Sequence, residues 1–412
     1  AGKILTSGAS NVIVGSLAGD ALTTGSDNVA IGVSSLSHED AHGRNIAIGR
    51  NALKFLDAGA DAYNVAIGHV AGEAVTTGTG NTIVGGEAGE DLTSGISNEA
   101  FGRRALRRAT TANYNTAVGT EALRTNILSN RNVAIGFQSL FTHNTASAVD
   151  AYNTAVGFKA GTLVSTGTHN TIIGGLAGDA LTGGGGNTAV GYGALSTEDT
   201  HGNNVAIGYH SLVTQNAGAN AHNVAVGYKA GEAVSTGIQN TIMGGLAGDA
   251  ITTGSNNALV GKGAGGALTA GANNVAMGSE ALATQVLGGQ NVAIGREALK
   301  NQNVNGHGDN TALGYVAGTA ITTGTKNTFI GSKAGDAQTV AGHNVAVGYG
   351  ALTSNVFGEY SIAIGSGALE LQNPADGSHS VYNTVIGFQA GADISTGHGH
   401  TIIGGQAGDA IT

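Results

Sequence analysis

Three largely apolar residues between an Asn and a Gly make a five-residue phrase that returns along the whole chain. It is Asn28-Val29-Ala30-Ile31-Gly32 in one copy, NIAIG from Asn45, NVAIG from Asn64, NTAVG from Asn115, and finally HTIIG from His400. Among 23 copies, Gly is fifth in every one and Asn first in 21, with Ser361 and His400 as the exceptions. Of the 22 intervals, 17 are 17 residues long, three are 19, one is 21 and one is 22. A period this regular predicts a solenoid, in which each repeat is one coil stabilised by stacking on its neighbours. The expected fold is all-β: a parallel β-solenoid, or β-roll, of about 23 coils with a 17-residue period, filling residues 1–412 as one repetitive segment.

With the motif Asn as position 0, position 3 is always large and apolar, as in Val14, Ile31, Ile67, Met243 and Met277. Position 1 shares its side of the strand and is nearly always Val, Ile or Thr. Position 2 points the other way and is usually Ala, enlarged to Ile83, Ile172, Ile242 or Phe329 in some coils. Side chains alternate along a strand, so this strand is apolar on both faces and needs cover on both. The small Ala face is expected to pack against identical chains, in an intertwined or side-by-side homotrimer, although a dimer or lateral sheet meets the same requirement. The Gly at position 4 predicts a turn or a close backbone approach. The Asn at position 0 predicts either a coil-to-coil amide ladder or an Asx-turn.

After the Gly the coils are of two kinds. Eleven carry Ala-Leu or Ser-Leu at positions 7 and 8, as in Ala52-Leu53, and twelve carry Ala-Gly, as in Ala71-Gly72. All five long intervals fall in Leu coils that directly precede a Gly coil. Their spacers, 54–63, 141–152, 213–222, 300–309 and 370–382, are expected to protrude as lateral loops from one side, where repeat proteins often bind.

Composition narrows the picture. There are 72 Gly, no Cys, and a single Pro, Pro374, which lies in the longest spacer. Disulfides and thiolate metal sites are therefore excluded. A net charge of −10 argues against general nucleic-acid binding, and no apolar run has membrane-spanning length. Residues 1–8 resemble the second half of a coil and 407–412 stop within one, so the segment is expected to be cut mid-coil at both ends.

The NVAIG phrase resembles the NSVAIG-type head repeats of trimeric autotransporter adhesins. NTAVGYGAL at 187–195 and NVAVGYGAL at 344–352 look still more like the repeats of bacteriophage tail fibres. The resemblance implies a trimeric, extracellular or virion-surface fibre engaged in host attachment. A 17-residue coil is longer than those of adhesin heads. His398-Gly399-His400 is similar to the HxH motif with which some phage fibre tips hold iron, which makes the pair a metal-binding candidate.

Candidate binding residues are those of the spacers that can stack on sugars or hydrogen-bond their hydroxyls: Phe55, Phe141, His143, Asn144, Gln215, Asn303, His307, Pro374 and His379. The ten Tyr flank the motif on either side and are expected to cap the strand ends. Acids at position 9, such as Asp179 and Asp336, are expected to be solvated turn residues. One coil breaks the pattern with Glu99 where Val or Thr belongs, followed by Arg103, Arg104, Arg107 and Arg108. Glu99 is expected to form a salt bridge with an Arg such as Arg103, within the chain or between chains. The cluster is alternatively a polyanion site. No GxSxG, P-loop or HExxH arrangement is present, so neither an enzyme nor a cofactor is expected. The reading is a structural fibre shaft with adhesive loops from a bacteriophage tail fibre, its partners being further copies of itself and a host glycan or receptor. The alternative is the passenger region of a bacterial trimeric adhesin at the cell surface. A further alternative is an ice- or glycan-binding extracellular solenoid.

Overall fold

The computed structural model describes residues 1–374 and 380–411. The chain forms two compact units, Ala1–Asn203 and Asn204–Thr412. Both are parallel β-solenoids without a helix among the described residues. Each coil contributes one three-residue strand, made of motif positions 1 to 3. The first unit holds eleven, from β1 (Val12–Val14) to β11 (Thr188–Val190), and the second holds twelve, from β12 (Val205–Ile207) to β23 (Thr401–Ile403). Neighbouring strands pair in parallel with like positions aligned, as in Val29↔Ile46, Ala30↔Ala47 and Ile31↔Ile48. The longer intervals do not disturb this register: Val133↔Thr154 aligns across 21 residues.

The strand faces the opposite way from the expectation. Position 2 points into the coil, where Ala30, Ala47, Ala117 and Ala206 are fully buried by their own chain, as are Ile83, Ile172 and Phe329. Positions 1 and 3 face outward, and Ile67, Ile135, Met243 and Met277 are exposed. The Ala face is therefore sealed by its own coil and not by other copies of the chain. The reason is volume, since a 17-residue coil encloses so little space that Ala is the side chain that usually fits.

The two kinds of coil are two ways of filling that space. Position 8 is left-handed in both, with φ of 46° at Leu53 and 57° at Gly72. In Leu coils the position-8 side chain is the core residue: Leu36, Leu53, Leu123 and Leu195 are fully buried. In most Gly coils the core residue comes three places later, as with Leu22, Val75, Leu181 and Ile251, all fully buried. The larger position-2 residues, including Ile83, Ile172, Ile242 and Phe329, occur only in Gly coils. A Cβ at Gly72 would approach Ile83 of the next coil to 3.0 Å and Leu53 of the preceding one to 3.2 Å. Volume is thus balanced across three neighbouring coils, as close packing demands.

Position 4 is fixed more rigidly. Gly119 has φ 130°, and a Cβ there would lie 2.6 Å from the carbonyl oxygen of Gly136 in the next coil. The motif Gly residues form such a row within each unit, with Gly244 on Gly261 and Gly261 on Gly278.

The Asn residues form an amide ladder. Asn81 N–H donates to Asn64 Oδ1 at 2.9 Å, and Asn98 N–H to Asn81 Oδ1 at 2.9 Å. The amide nitrogen closes its own coil: Asn64 Nδ2 donates to the carbonyl of Gly78 at 2.8 Å, fourteen residues on. The second unit repeats the arrangement through Asn223, Asn240, Asn257 and Asn274. Ser361 N–H donates to Asn344 Oδ1, and His400 N–H to Asn383 Oδ1, both at 2.8 Å, so the two irregular coils keep the acceptor below them. Every ladder Asn from Asn28 onward is buried, where the ladder bonds supply the partners that buried polar groups need.

Candidate functional surfaces

Each spacer leaves its coil after the core Leu and returns before the next Asn. Its ends are folded inward: Leu56 and Ala62, His143 and Ala151, Gln302 and Val304, and Gln372 and Val381 are buried. The exposed tips are short, small and polar, comprising Gly59-Ala60-Asp61, Ala146-Ser147-Ala148, Gly218-Ala219-Asn220 and Asn305-Gly306-His307.

This divides the candidate binding residues. Phe55, Asn303 and His307 are exposed, Phe141 and Asn144 are half-buried, and His143, Gln215 and Pro374 lie in the interior. The interior placement corrects the expectation that these last three reach out to a ligand. Gln215 instead accepts a hydrogen bond from Asn223 Nδ2 at 2.7 Å and joins the ladder. Asn144 and Asn303 lend their Oδ1 atoms to the backbone N–H groups of Ile127 and Val286 in the coil before. His379 lies outside the described residues. Phe55 is braced by the His38 ring, 4.9 Å between centroids, and by Lys54 Nζ, 4.6 Å above its centroid.

The larger feature is the outward strand face. Position 3 is Val, Ile, Leu, Met or Phe in every coil, position 1 is Val, Ile, Thr or Ala in all but one, and Glu99 is the only charged residue on either. Two rows with left-handed or aromatic residues flank it. At position −1, Arg131 lies between Tyr114 and Tyr152, 5.4 and 5.6 Å from the ring centroids, and Tyr360 stacks on Tyr382 at 5.2 Å. At position 5, Phe137 stacks on Phe158, and Tyr209 on Tyr228, each at 5.6 Å. Tyr209 with Tyr228 and Tyr360 with Tyr382 thus stack coil on coil along the strand edges, and all ten Tyr rings stay exposed.

The Arg cluster is mostly neutralised within the chain. Arg104 pairs with Glu87 at 2.8 Å and Glu121 at 3.7 Å, Arg107 with Glu90 at 2.5 Å, and Arg124 with Glu121 at 3.7 Å. The hydrogen bond from Arg104 holds the Glu87 carboxyl below its usual range, and that from Gln138 does the same for Glu121. Glu99 is exposed on the strand face and accepts a hydrogen bond from Thr116 Oγ1 at 2.9 Å. Among the described residues it has no ion pair within the chain, and Arg103 is likewise exposed. The intrachain form of the expected Glu99 salt bridge is thus absent, because the odd coil turns its carboxylate to solvent.

Of the eight position-9 acids in Gly coils, seven are half-buried and Asp409 is exposed. Burial pushes the carboxyls of Asp179, Asp249 and Asp336 up. His398 is exposed, while His400 occupies the place of a ladder Asn.

Position 11 is what the sequence reading missed. It is buried in every coil but the last, is aliphatic in most Gly coils, and is polar in nine of the eleven Leu coils. Glu39, Asn126, His143, Glu198 and Gln285 all stand there, fully buried. Sorting the coils by kind before aligning them would have exposed this row. No protein-family model and no curated protein sequence matches the chain.

Proposed function

We propose that the chain is a structural shaft segment of an extracellular fibre, rigid along each stack of coils and assembled sideways with further copies through its outward strand face. A bacteriophage tail fibre is the leading setting, and the passenger region of a bacterial trimeric surface adhesin is the alternative. The observation that carries this reading is the face itself. In each unit, eleven or twelve strands spaced ~4.8 Å apart and three residues wide make a strip of about 500 Å². One charge interrupts it. An apolar strip of that size equals the largest patch of a typical monomer, about 300–600 Å², which is often functional. Rows of β-branched and long aliphatic side chains in fixed register suit a second solenoid with the same spacing, and a homotrimer would bring three such faces together.

The strand face replaces the Ala face as the expected seam, and this changes the test. Ile135→Lys together with Ile207→Lys alters one exposed residue in each unit without touching a core. Native mass spectrometry of the parent chain should give a defined oligomer, and the double variant should be monomeric with an unchanged circular dichroism spectrum. A parent chain that is monomeric at micromolar concentration would sink lateral assembly.

A further inference from the structure

We propose that Glu-Asp-x-His, found once in each unit as Glu39-Asp40-Ala41-His42 and Glu198-Asp199-Thr200-His201, is a binding site for a divalent transition-metal cation. The argument begins with what position 11 ordinarily does. Asn126 Oδ1 accepts the N–H of Ser129 at 3.0 Å, and its Nδ2 donates to the same residue's carbonyl at 2.9 Å. Asn355 treats Gly358 identically, at 2.7 and 2.8 Å. An amide can satisfy both of its polar atoms there, as Gln285 and Gln302 also do, although Gln215 and Gln338 each leave Nε2 buried without a partner.

Glutamate satisfies one. Glu39 Oε1 accepts the N–H of His42 at 3.0 Å, and Glu198 Oε1 that of His201 at 3.2 Å. Both side chains are wholly inaccessible, and both Oε2 atoms are buried without a hydrogen-bond partner. A second acceptor now stands where the amide offered a donor, and a buried carboxylate oxygen left so is costly. The imidazoles lie beside these carboxylates, with Nδ1 3.4 Å from Oε1 in the first unit and 3.6 Å in the second. His42 Nδ1 is likewise buried without a hydrogen bond. In both copies the Glu, Asp and His donor atoms lie within 4.8 Å of one another. Neither amide coil carries an Asp or His at these places: Asn126 is followed by Ile127 and Ser129, and Asn355 by Val356 and Gly358.

A cation supplies the missing partner and gives the Asp and His a common purpose. Two carboxylates and one imidazole nitrogen suit Zn²⁺ or Mn²⁺, with the remaining positions open to water because Asp40 is exposed and His42 half-exposed. The copies are not equal. Asp199 Oδ1 already accepts from Thr200 N–H at 2.6 Å and Thr200 Oγ1 at 3.0 Å, and Thr200 Oγ1 also lies 3.1 Å from His201 Nδ1. Ala41 offers no such competition, so the first site is the tighter. The rival is a proton: burial raises both glutamic acids, and a neutral carboxyl can imitate the amide.

The test is calorimetric titration of the full chain, stripped with chelator and dialysed, with Zn²⁺ and separately Mn²⁺ at pH 7.5. Two ions per chain are expected for at least one of the metals. Glu39→Gln and Glu198→Gln should each remove one, and the double variant should bind none. His42→Ala should weaken the first site at least tenfold. Asp40→Asn and His42→Ala change accessible side chains and keep the test open if a Glu variant misfolds by circular dichroism. Absence of saturable binding for both metals, or binding that persists in the folded double Gln variant or is unaffected by His42→Ala, overturns the proposal. Glu39→Gln stabilising a chain that binds neither metal would assign the proton to Glu39 and overturn it equally.

Discussion

A methyl group on Gly161 would sit 3.2 Å from Cγ2 of Val164, three residues further along the same coil. It would also come within 3.1 Å of Leu140 Cδ2 in the preceding coil and 2.9 Å of Ile172 Cδ1 in the next. Gly161 has φ 58°, so a side chain there is disfavoured even without the contacts. Gly161→Ala should therefore destabilise the chain by about 1–3 kcal/mol. Gly161→Leu should be worse alone and improved by adding Val164→Gln, which converts the coil towards the Leu kind. Urea unfolding of the two single variants and the double variant gives the coupling. Additive effects would show that the two kinds of coil are not exchangeable fillings of one space.

Much of this fold was legible because its strongest constraints fall on fixed positions. The period, the strands and the Gly row follow from residues that cannot vary: a Cβ at Gly119 meets a carbonyl oxygen. The facing of the strand was not legible. Ala117 and Val118 are both apolar, and pattern alone does not say which of two apolar faces is inside. Size decides it, because the interior of so small a coil rejects most residues larger than Ala unless a Gly lies opposite. Position 11 was hidden for a related reason. Averaged over all coils, Leu22, Glu39, Val75 and His143 look like noise, whereas within each kind of coil they are consistent. The spacers misled in a third way. His143, Gln215 and Pro374 have side chains suited to a ligand, yet their nearness to the coil, more than their chemistry, set where they point.

The amide ladder makes Asn115 a two-sided strut. Its Oδ1 accepts the N–H of Asn132 at 3.0 Å, and its Nδ2 donates to the Ser129 carbonyl at 3.0 Å. Asn115→Ala strands the buried Asn132 N–H, at a cost of roughly 1–3 kcal/mol, while the Ser129 carbonyl keeps its bond from Asn126 Nδ2. Exchange protection of the Asn132 amide should fall, while protection in coils several repeats away is retained, since stacked repeats communicate mainly with neighbours. A uniform loss of protection throughout the first unit would mean that unit unfolds as a single block.

Trimming the spacers separates shaft from adhesin. Deleting 146–149 brings the 21-residue interval back to 17 and removes the exposed Ala146-Ser147-Ala148 tip without touching buried His143 or Ala151. Deleting 217–218 and 305–306 does the same in the second unit. The trimmed chain should keep its circular dichroism spectrum and oligomeric state. If host contact is made along this segment, attachment of labelled chain to target cells should weaken several-fold, because repeated weak contacts act together. Attachment that survives intact assigns the segment a purely mechanical role.

His143 gives the fold an acid limit. Its side chain is wholly buried at position 11, neither ring nitrogen has a hydrogen-bond partner, and burial pushes the imidazole down from 6.5 to about 4. Because the folded value lies below the unfolded one, the unfolded chain takes up the proton first as the pH falls. The contribution to stability is full above about pH 6.5, declines as the pH drops, and levels off below about 4, where both states carry the proton. At ~1.4 kcal/mol per unit, the total loss is on the order of 3 kcal/mol. Glu39 works in the opposite sense, since burial raises its carboxyl and favours the folded state in acid, so wild-type stability against pH is a composite. His143→Leu separates the two. Leu56 occupies position 11 of another Leu coil, so an aliphatic side chain is accommodated there. Urea midpoints at pH 7.5 and 4.5 should drop further in the parent than in His143→Leu, with Glu39 common to both. Equal drops would mean that His143 reaches solvent in the folded chain and that the coil interior is wetter at this point than its packing indicates.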